Sequence, residues 1–317
     1  MTYRSTQSPN PPDRVPQRLL SRRQLVGGAL VVGVLAACGD SGGDADDSAA
    51  TGAPGDGSAA SAAPSGAGAY TLVQRFPQGL QVPGTQRLPL SLSTGAAELI
   101  SDGPETLGAQ VVDLDGNPLG GRLQAVRRNA VPAAYYDFHP AVDTPGFYAL
   151  MVDGGPAEGA SFQVADPAAV PVPIPGSALP PFETPTIDDP QGVDPICTRE
   201  PEPCPFHDVT LTEALAAGKP VAYYVGTPAF CSTGSCAPAL ESLIEVQDVF
   251  GDEFTFVHAE VYTDLTATEV APAVTALGMT YEPALYVTDA TGTVTDRLDA
   301  VWNTDELVEV LRRVSGN

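Results

Sequence analysis

The sequence predicts a multidomain chain: an export leader and tether, then an all-β sandwich, then an α/β domain with a mixed sheet. Three observations carry this reading. The 317 residues suffice for two domains of about 100–150 residues each. Gly and Pro number 32 each, about a fifth of the chain, which argues against an all-helical bundle. The hydrophobic pattern also changes character at about residues 70 and 197, from featureless to alternating and then to mixed helical and strand runs.

The leader occupies residues 1–37. Arg22 and Arg23 precede an apolar run over 25–37. That run is too short for a bilayer span, which needs about 20 apolar residues. Basic residues, a short apolar core and small residues at its end read as an export signal. Leu35-Ala36-Ala37-Cys38 resembles the bacterial lipobox, which implies that Cys38 is lipidated and becomes the mature N-terminus. Arg22-Arg23 resembles a twin-arginine signal. The implied location is the cell membrane, with the chain lipid-anchored on its extracytoplasmic face. An ordinary signal peptide or an anchor helix is the alternative. Residues 39–68 contain only Gly, Ala, Ser, Thr, Asp and Pro, so 38–69 is expected to be a disordered tether with a reach of about 30 Å.

Lys and Arg total 15 against 39 Asp and Glu, a net charge of −24. Loss of the leader removes five arginines and one aspartate, leaving −28. Such a chain is unsuited to nucleic acid, whose binding rewards clustered Lys and Arg. It also lacks an electrostatic grip on anionic lipid, so membrane contact is expected through the anchor alone.

Residues 70–166 show short apolar or alternating runs at 70–73, 88–92, 109–114, 133–138, 147–152 and 161–164. Turn signals separate them: Pro83-Gly84, Asp115-Gly116-Asn117, Pro145-Gly146 and Asp153-Gly154-Gly155. This rhythm predicts a β-sandwich of immunoglobulin-like type. It holds no cysteine and no cluster of His and acids, and His139 reads as a surface or packing residue. A spacer or docking role follows. Residues 167–196 carry nine prolines between Pro167 and Pro195 and predict an extended linker, packed along one domain or free.

Residues 197–317 alternate helix and strand signals. Thr210 and Glu213 form a capping box before a helix that stops at Gly218. Residues 220–225 and 254–261 are strand runs. Between them Pro238 opens a helix whose Leu240, Leu243, Ile244 and Val249 are expected to face one way. A short helix over 270–277 follows, then strands at 284–287 and 293–298 around the turn 289–292. Asn303 and Glu306 cap a last helix. The order is β-α-β-α-β-β-α.

The candidate chemistry lies at Cys231 and Cys236, between the first strand and its helix. A helix N-terminus offers free N–H groups and a positive dipole end, which favour thiolate over thiol. Thiolate is the attacking species in disulfide exchange. Separation by five positions turns a continuous helix 140° off-face, so pairing needs residues 232–235 to be non-helical, which Gly234 permits.

The strand–Cys–helix junction, the element order and Tyr281-Glu282-Pro283-Ala284 together resemble the thioredoxin-like superfamily over residues 209–314. Thr227-Pro228-Ala229-Phe230-Cys231 and residues 256–262 look like a bacterial subgroup of exported thioredoxin-domain proteins. The resemblance implies that Pro283 is a cis-proline facing the cysteines and contacting the substrate backbone. It implies that Cys231 is the nucleophile and Cys236 the resolving thiol. The spacing departs from the family: four residues separate the cysteines instead of two, and the family's Trp is absent.

Cys197 and Cys204 sit among prolines with no helix directly after them. The expectation is a structural disulfide closing a small loop, contributing about 2–3 kcal/mol. Metal binding by Cys197, Cys204 and His207 lacks a clear fourth ligand and matches no strong zinc spacing. A relay pair exchanging with Cys231–Cys236 is a third reading. His258 reads as a core or edge histidine, with copper binding beside Cys231 and Cys236 a remote alternative. No metal is therefore expected, and no cofactor: nothing suggests a nucleotide, flavin or haem site.

The leading expectation is a membrane-anchored extracytoplasmic thiol–disulfide oxidoreductase whose partners are protein thiols and disulfides of the cell envelope. The alternative is a non-catalytic envelope adaptor held by two structural disulfides. A thiol peroxidase is weaker, because Tyr224 stands where the peroxiredoxin signature has a proline.

Overall fold

The computed structural model describes residues 69–95 and 98–316. Arg22, Arg23, Cys38 and the tether up to residue 68 lie outside them. The first domain contains ten strands: β1 (Thr71–Gln74), β2 (Gly84–Thr85), β3 (Leu88–Ser93), β4 (Leu99–Ile100), β5 (Thr106–Val112), β6 (Pro118–Arg128), β7 (Tyr135–Phe138), β8 (Ala141–Val142), β9 (Gly146–Val152) and β10 (Ala160–Val164). Seven run in one hydrogen-bonded path, β1-β3-β7-β6-β5-β9-β10, with β4 added beside β3. Every pairing along it is antiparallel. The path doubles over because β6 belongs to both halves. Its length pairs with β5, and its last residues, Arg127 and Arg128, pair with Tyr136 and Tyr135 of β7. Leu88, Leu90, Leu92, Ala109, Tyr136, Phe138, Leu150 and Phe162 fill the space between the halves. β6 escapes sequence reading because its Gly-Gly-Arg start and exposed face show no alternation.

The second domain contains α1 (Leu211–Ala216), β11 (Val221–Val225), α2 (Cys236–Phe250), β12 (Thr255–Ala259), α3 (Pro272–Ala276), β13 (Ala284–Thr288), β14 (Val294–Asp299) and α4 (Thr304–Ser315). Its sheet order is β12-β11-β13-β14. β11 and β12 are parallel, and the other two pairings are antiparallel. That is the mixed sheet of a thioredoxin-like domain. The capping box at Thr210 and Glu213 forms with both hydrogen bonds present. Alternation along β11 splits two tyrosines between the faces. Tyr224 packs under α2 and α4 with Leu240, Leu243, Leu285, Trp302 and Leu307. Tyr223 packs under α1 and α3 with Leu211, Ala214, Ala273, Leu277 and Tyr286. Val249 does not join Leu240 and Leu243 and is exposed. Nine positions carry it half a turn away from Leu240, and Val246 and Phe250 take the buried face instead.

The proline-rich segment packs against the second domain. Val172 and Leu179 are buried in its core, and residues 176–179 hydrogen-bond to β14 and the turn before it through Val294 and Gly292. At the opposite edge the N–H of His258 donates to the Phe206 carbonyl. Both outer strands are thus covered, which removes open edges that could pair with other chains.

A buried polar contact joins the two domains. Arg87 Nε donates to Glu306 Oε1 at 2.6 Å, and its Nη2 donates to Glu306 Oε2 at 2.8 Å and to the Val301 carbonyl at 2.5 Å. The Tyr135 hydroxyl donates to the same Glu306 carboxylate and accepts from the Asn303 N–H at 3.2 Å. A two-toothed Arg–carboxylate pair fixes direction as well as distance, so the β domain is held against the start of α4.

Candidate redox site

The site lies at the end of the sheet where β11 passes into α2. Residues 232–235 are non-helical, and Gly234 has φ +68°, a left-handed conformation that glycine takes without a Cβ clash. The segment doubles back, bringing the Cα atoms of Cys231 and Cys236 to 5.9 Å, and the two form a disulfide. This separation suits a disulfide.

The two sulfurs are unequal. Cys231 is partly exposed, whereas Cys236 is fully buried as the first residue of α2. The N–H of Cys236 donates to Cys231 Sγ at 3.3 Å. Ser235, the residue before the helix, supplies no side-chain cap, so this donor at the helix start is directed at sulfur. Thr233 Oγ1 lies 3.2 Å from the same sulfur. Both contacts and the helix end stabilise a thiolate at Cys231 once the disulfide opens.

Ala284 of β13 pairs with Val225 of β11, so the preceding residues meet the cysteine loop. The Glu282–Pro283 peptide is cis. Pro283 is buried, and its carbonyl accepts from the Ala300 N–H. Glu282 Oε2 lies 3.5 Å from Cys236 Sγ and accepts from the Thr227 N–H at 2.9 Å. Burial raises the carboxyl to about 7, opposed by the Thr227 N–H and helped by the nearby Glu260. A carboxyl at that value can take a proton from a buried thiol near neutral pH. Glu282 stands in the segment that marks the cis-proline, but no chemical role for it was legible there. The signal was an acid directly before a proline that faces thiols.

The expected Cys197–Cys204 disulfide is a correction. Both cysteines are free and buried. Their sulfurs turn toward imidazoles: Cys204 Sγ lies 3.3 Å from His207 Nε2 and 3.2 Å from His258 Nδ1, and Cys197 Sγ lies 3.7 Å from His258 Nδ1. Hydrogen bonding from Cys204 and from the two imidazoles pulls the Cys197 thiol below the ordinary thiol range, while burial pushes Cys204 up. His258 is not an idle core residue, because it completes this group. It does not reach Cys231 or Cys236. The clusters are connected through the Gly226–Thr227 peptide, whose carbonyl accepts from His258 Nε2 at 2.9 Å and whose N–H reaches Glu282.

No protein-family model matches the chain, and no curated protein matches it. Two solved structures from Chlorobium tepidum are similar to part of it. A thioredoxin-family thiol:disulfide interchange protein shares 17% identity over 45% of this chain and 98% of its own, with a TM-score of 0.33. A DsbE-like thiol:disulfide interchange protein shares 13% identity over 46% of this chain and 99% of its own, also at a TM-score of 0.33. The thioredoxin-like assignment here rests on this chain's own strand order and connections.

Proposed function

We propose that the protein is a thiol–disulfide oxidoreductase of the extracytoplasmic face, held to the membrane by lipid on Cys38. The observation that carries the reading is the asymmetric pair. Cys231 opens toward solvent, and Cys236 is buried against a carboxyl poised near neutrality.

In the reducing direction, Cys231 thiolate attacks a partner disulfide. A Cys231–partner bond forms, and one partner sulfur leaves as thiolate and takes up a proton. Cys236 gives its proton to Glu282 and attacks Cys231 Sγ. The mixed disulfide breaks, the second partner sulfur leaves and is protonated, and the Cys231–Cys236 bond closes. The pair loses two electrons and the partner gains them. The oxidising direction is the same sequence reversed.

The peroxidase reading loses ground. Thr227 is buried, and its hydroxyl lies 3.2 Å from Thr198 Oγ1. That hydroxyl is thus partnered by Thr198. The strand order of the first domain, β10-β9-β5-β6 on one side and β1-β3-β7 on the other, supports an immunoglobulin-like module that presents the redox domain.

The test is a trap. In the full chain, reduced Cys236→Ser should accumulate a mixed disulfide between Cys231 and disulfide-bonded envelope proteins or intact disulfide-bonded insulin, resolved by added dithiol. No adduct, together with no insulin reduction by the unaltered chain, would leave the adaptor reading. For the anchor, Cys38→Ala should move the protein from the membrane to the soluble fraction. Arg22→Lys with Arg23→Lys should block export if the twin-arginine route is used. A Cys38→Ala protein that stays in the membrane, or unchanged export of the lysine variant, contradicts these assignments in turn.

A further inference from the structure

A second site lies beneath the redox loop, built from groups that disulfide exchange does not use. Cys197, Cys204, His207 and His258 each offer one ligand atom, and these four atoms all lie within 4.8 Å of one another. All four residues are at least 96% buried. Cys197, Cys204 and His207 come from the loop before α1. The fourth comes from β12, where His258 sits opposite Tyr224 in the sheet register.

The geometry is that of a coordination shell. Four of the six edges are His207 Nε2 to His258 Nδ1 at 3.1 Å, Cys204 Sγ to His258 Nδ1 at 3.2 Å, Cys204 Sγ to His207 Nε2 at 3.3 Å and Cys197 Sγ to His258 Nδ1 at 3.7 Å, and the other two are within 4.8 Å. A tetrahedron with edges of about 3.4 Å has its centre about 2.1 Å from each corner, close to zinc–nitrogen and zinc–sulfur bond lengths. The His258 tautomer agrees. Its Nε2 donates to the Gly226 carbonyl at 2.9 Å, which leaves the Nδ1 lone pair directed into the cluster. Two ring nitrogens and two sulfurs then converge on one point. Without a cation that is a costly way to bury polar groups. Two thiolates around a divalent ion are charge-neutral, which suits a site packed among Phe206, Tyr224 and Phe256.

We propose that Cys197, Cys204, His207 and His258 form a closed structural site for a tetrahedral divalent ion of the zinc type. Two imidazoles and two thiolates with every position filled by protein favour zinc over calcium or magnesium, which require oxygen ligands. The shell has no open position, so the ion serves architecture. It pins the loop around residue 197 to β12. Next to the ligand Cys197, Thr198 donates its N–H and hydroxyl to Glu260 Oε1 at 2.6 and 2.9 Å, and its oxygen accepts from the Ala229 N–H at 3.1 Å. Ala229 begins the approach to Cys231. The ion thereby holds the backbone from which the reactive cysteine is presented.

The experiment uses the full chain purified anaerobically without chelator. Elemental analysis should find about one zinc per chain. Exchange for cobalt should give the strong visible bands of tetrahedral cobalt and a thiolate-to-cobalt charge-transfer band in the near ultraviolet. Cys204→Ser should abolish that band, whereas the double variant Cys231→Ser/Cys236→Ser should keep it. If Cys204→Ser does not fold, the unaltered chain still decides. After mild reduction, bound metal should shield Cys197 and Cys204 from alkylation while Cys231 and Cys236 react. The proposal is overturned by a native Cys197–Cys204 disulfide with no cobalt uptake by the reduced chain. It is equally overturned by copper as the native metal, or by a cobalt spectrum unchanged in Cys204→Ser.

Discussion

Two cysteine pairs in one α/β domain have opposite surroundings. Cys231 and Cys236 lie on a loop entering a helix, one sulfur partly exposed, with a helix N–H on one side and a carboxyl on the other. Cys197 and Cys204 are wholly enclosed, and their neighbours are imidazole nitrogens. The spacings, five and seven positions, do not separate the two. Access and partner atoms do. An exposed thiol beside a helix start can attack another chain. A pair enclosed with two imidazole nitrogens is out of reach of another chain and has the atoms to hold an ion.

The difference can be broken from either side, and the effects should fall in order. Cys231→Ser should lower insulin reduction by at least about a thousandfold, since every other cysteine among the described residues is buried. Metal content should stay unchanged, and melting temperature should match that of the unaltered chain when both are compared in the reduced state. Activity above that level would mean that Cys197 or Cys204 exchanges too. Cys204→Ala should empty the buried cluster and cost at least about 3 kcal/mol, or about 10 °C in melting temperature by calorimetry. A change of only a degree or two would show that the cluster holds nothing.

Glu282→Gln should act on rate. The resolving step should slow by roughly tenfold to a hundredfold at pH 8, and the rise in rate through pH about 7 should flatten. The sign of the stability effect follows from burial. The folded carboxyl is raised to about 7, against about 4.3 unfolded. Folding therefore binds a proton between these values, and stability is lost as pH rises through that window. Glu282→Gln should remove this slope in pH-dependent denaturation, and an unaltered slope would place the proton elsewhere. Smallest is Thr198→Val, which loses bonds to Glu260 and Ala229. A loss of about 1 kcal/mol and a few-fold slower exchange are expected, with metal retained. Loss of metal from this variant would show that the threonine belongs to the cluster itself.

Much of the second domain was legible because its signals are local. The Thr210–Glu213 cap, Gly234, the helix after Pro238 and the cysteines at a strand–helix junction can all be read within a few residues. The buried cluster was not legible, because its fourth member is 51 positions beyond the third. Only the parallel register of β11 and β12, which sets His258 opposite Tyr224, brings it in. A trace did exist: a histidine set in the otherwise apolar run Phe256-Val257-His258-Ala259. Glu282 was obscured for a different reason. Its meaning depends on its nearness to Cys236 and to the Thr227 N–H, which no periodicity encodes. In the first domain the short apolar runs marked the buried strands, while β6 stayed hidden because its outer face is mostly solvent-exposed.

The most direct measurement of the division between the pairs is a redox titration of the full chain in glutathione buffers, quenched by alkylation and read by peptide mass. The prediction is that only Cys231 and Cys236 interconvert between thiol and disulfide, with a midpoint above about −300 mV, while Cys197 and Cys204 stay reduced and metal-bound throughout. Interconversion of Cys197 with Cys204, or a Cys231–Cys236 bond that stays closed below that potential, would contradict it.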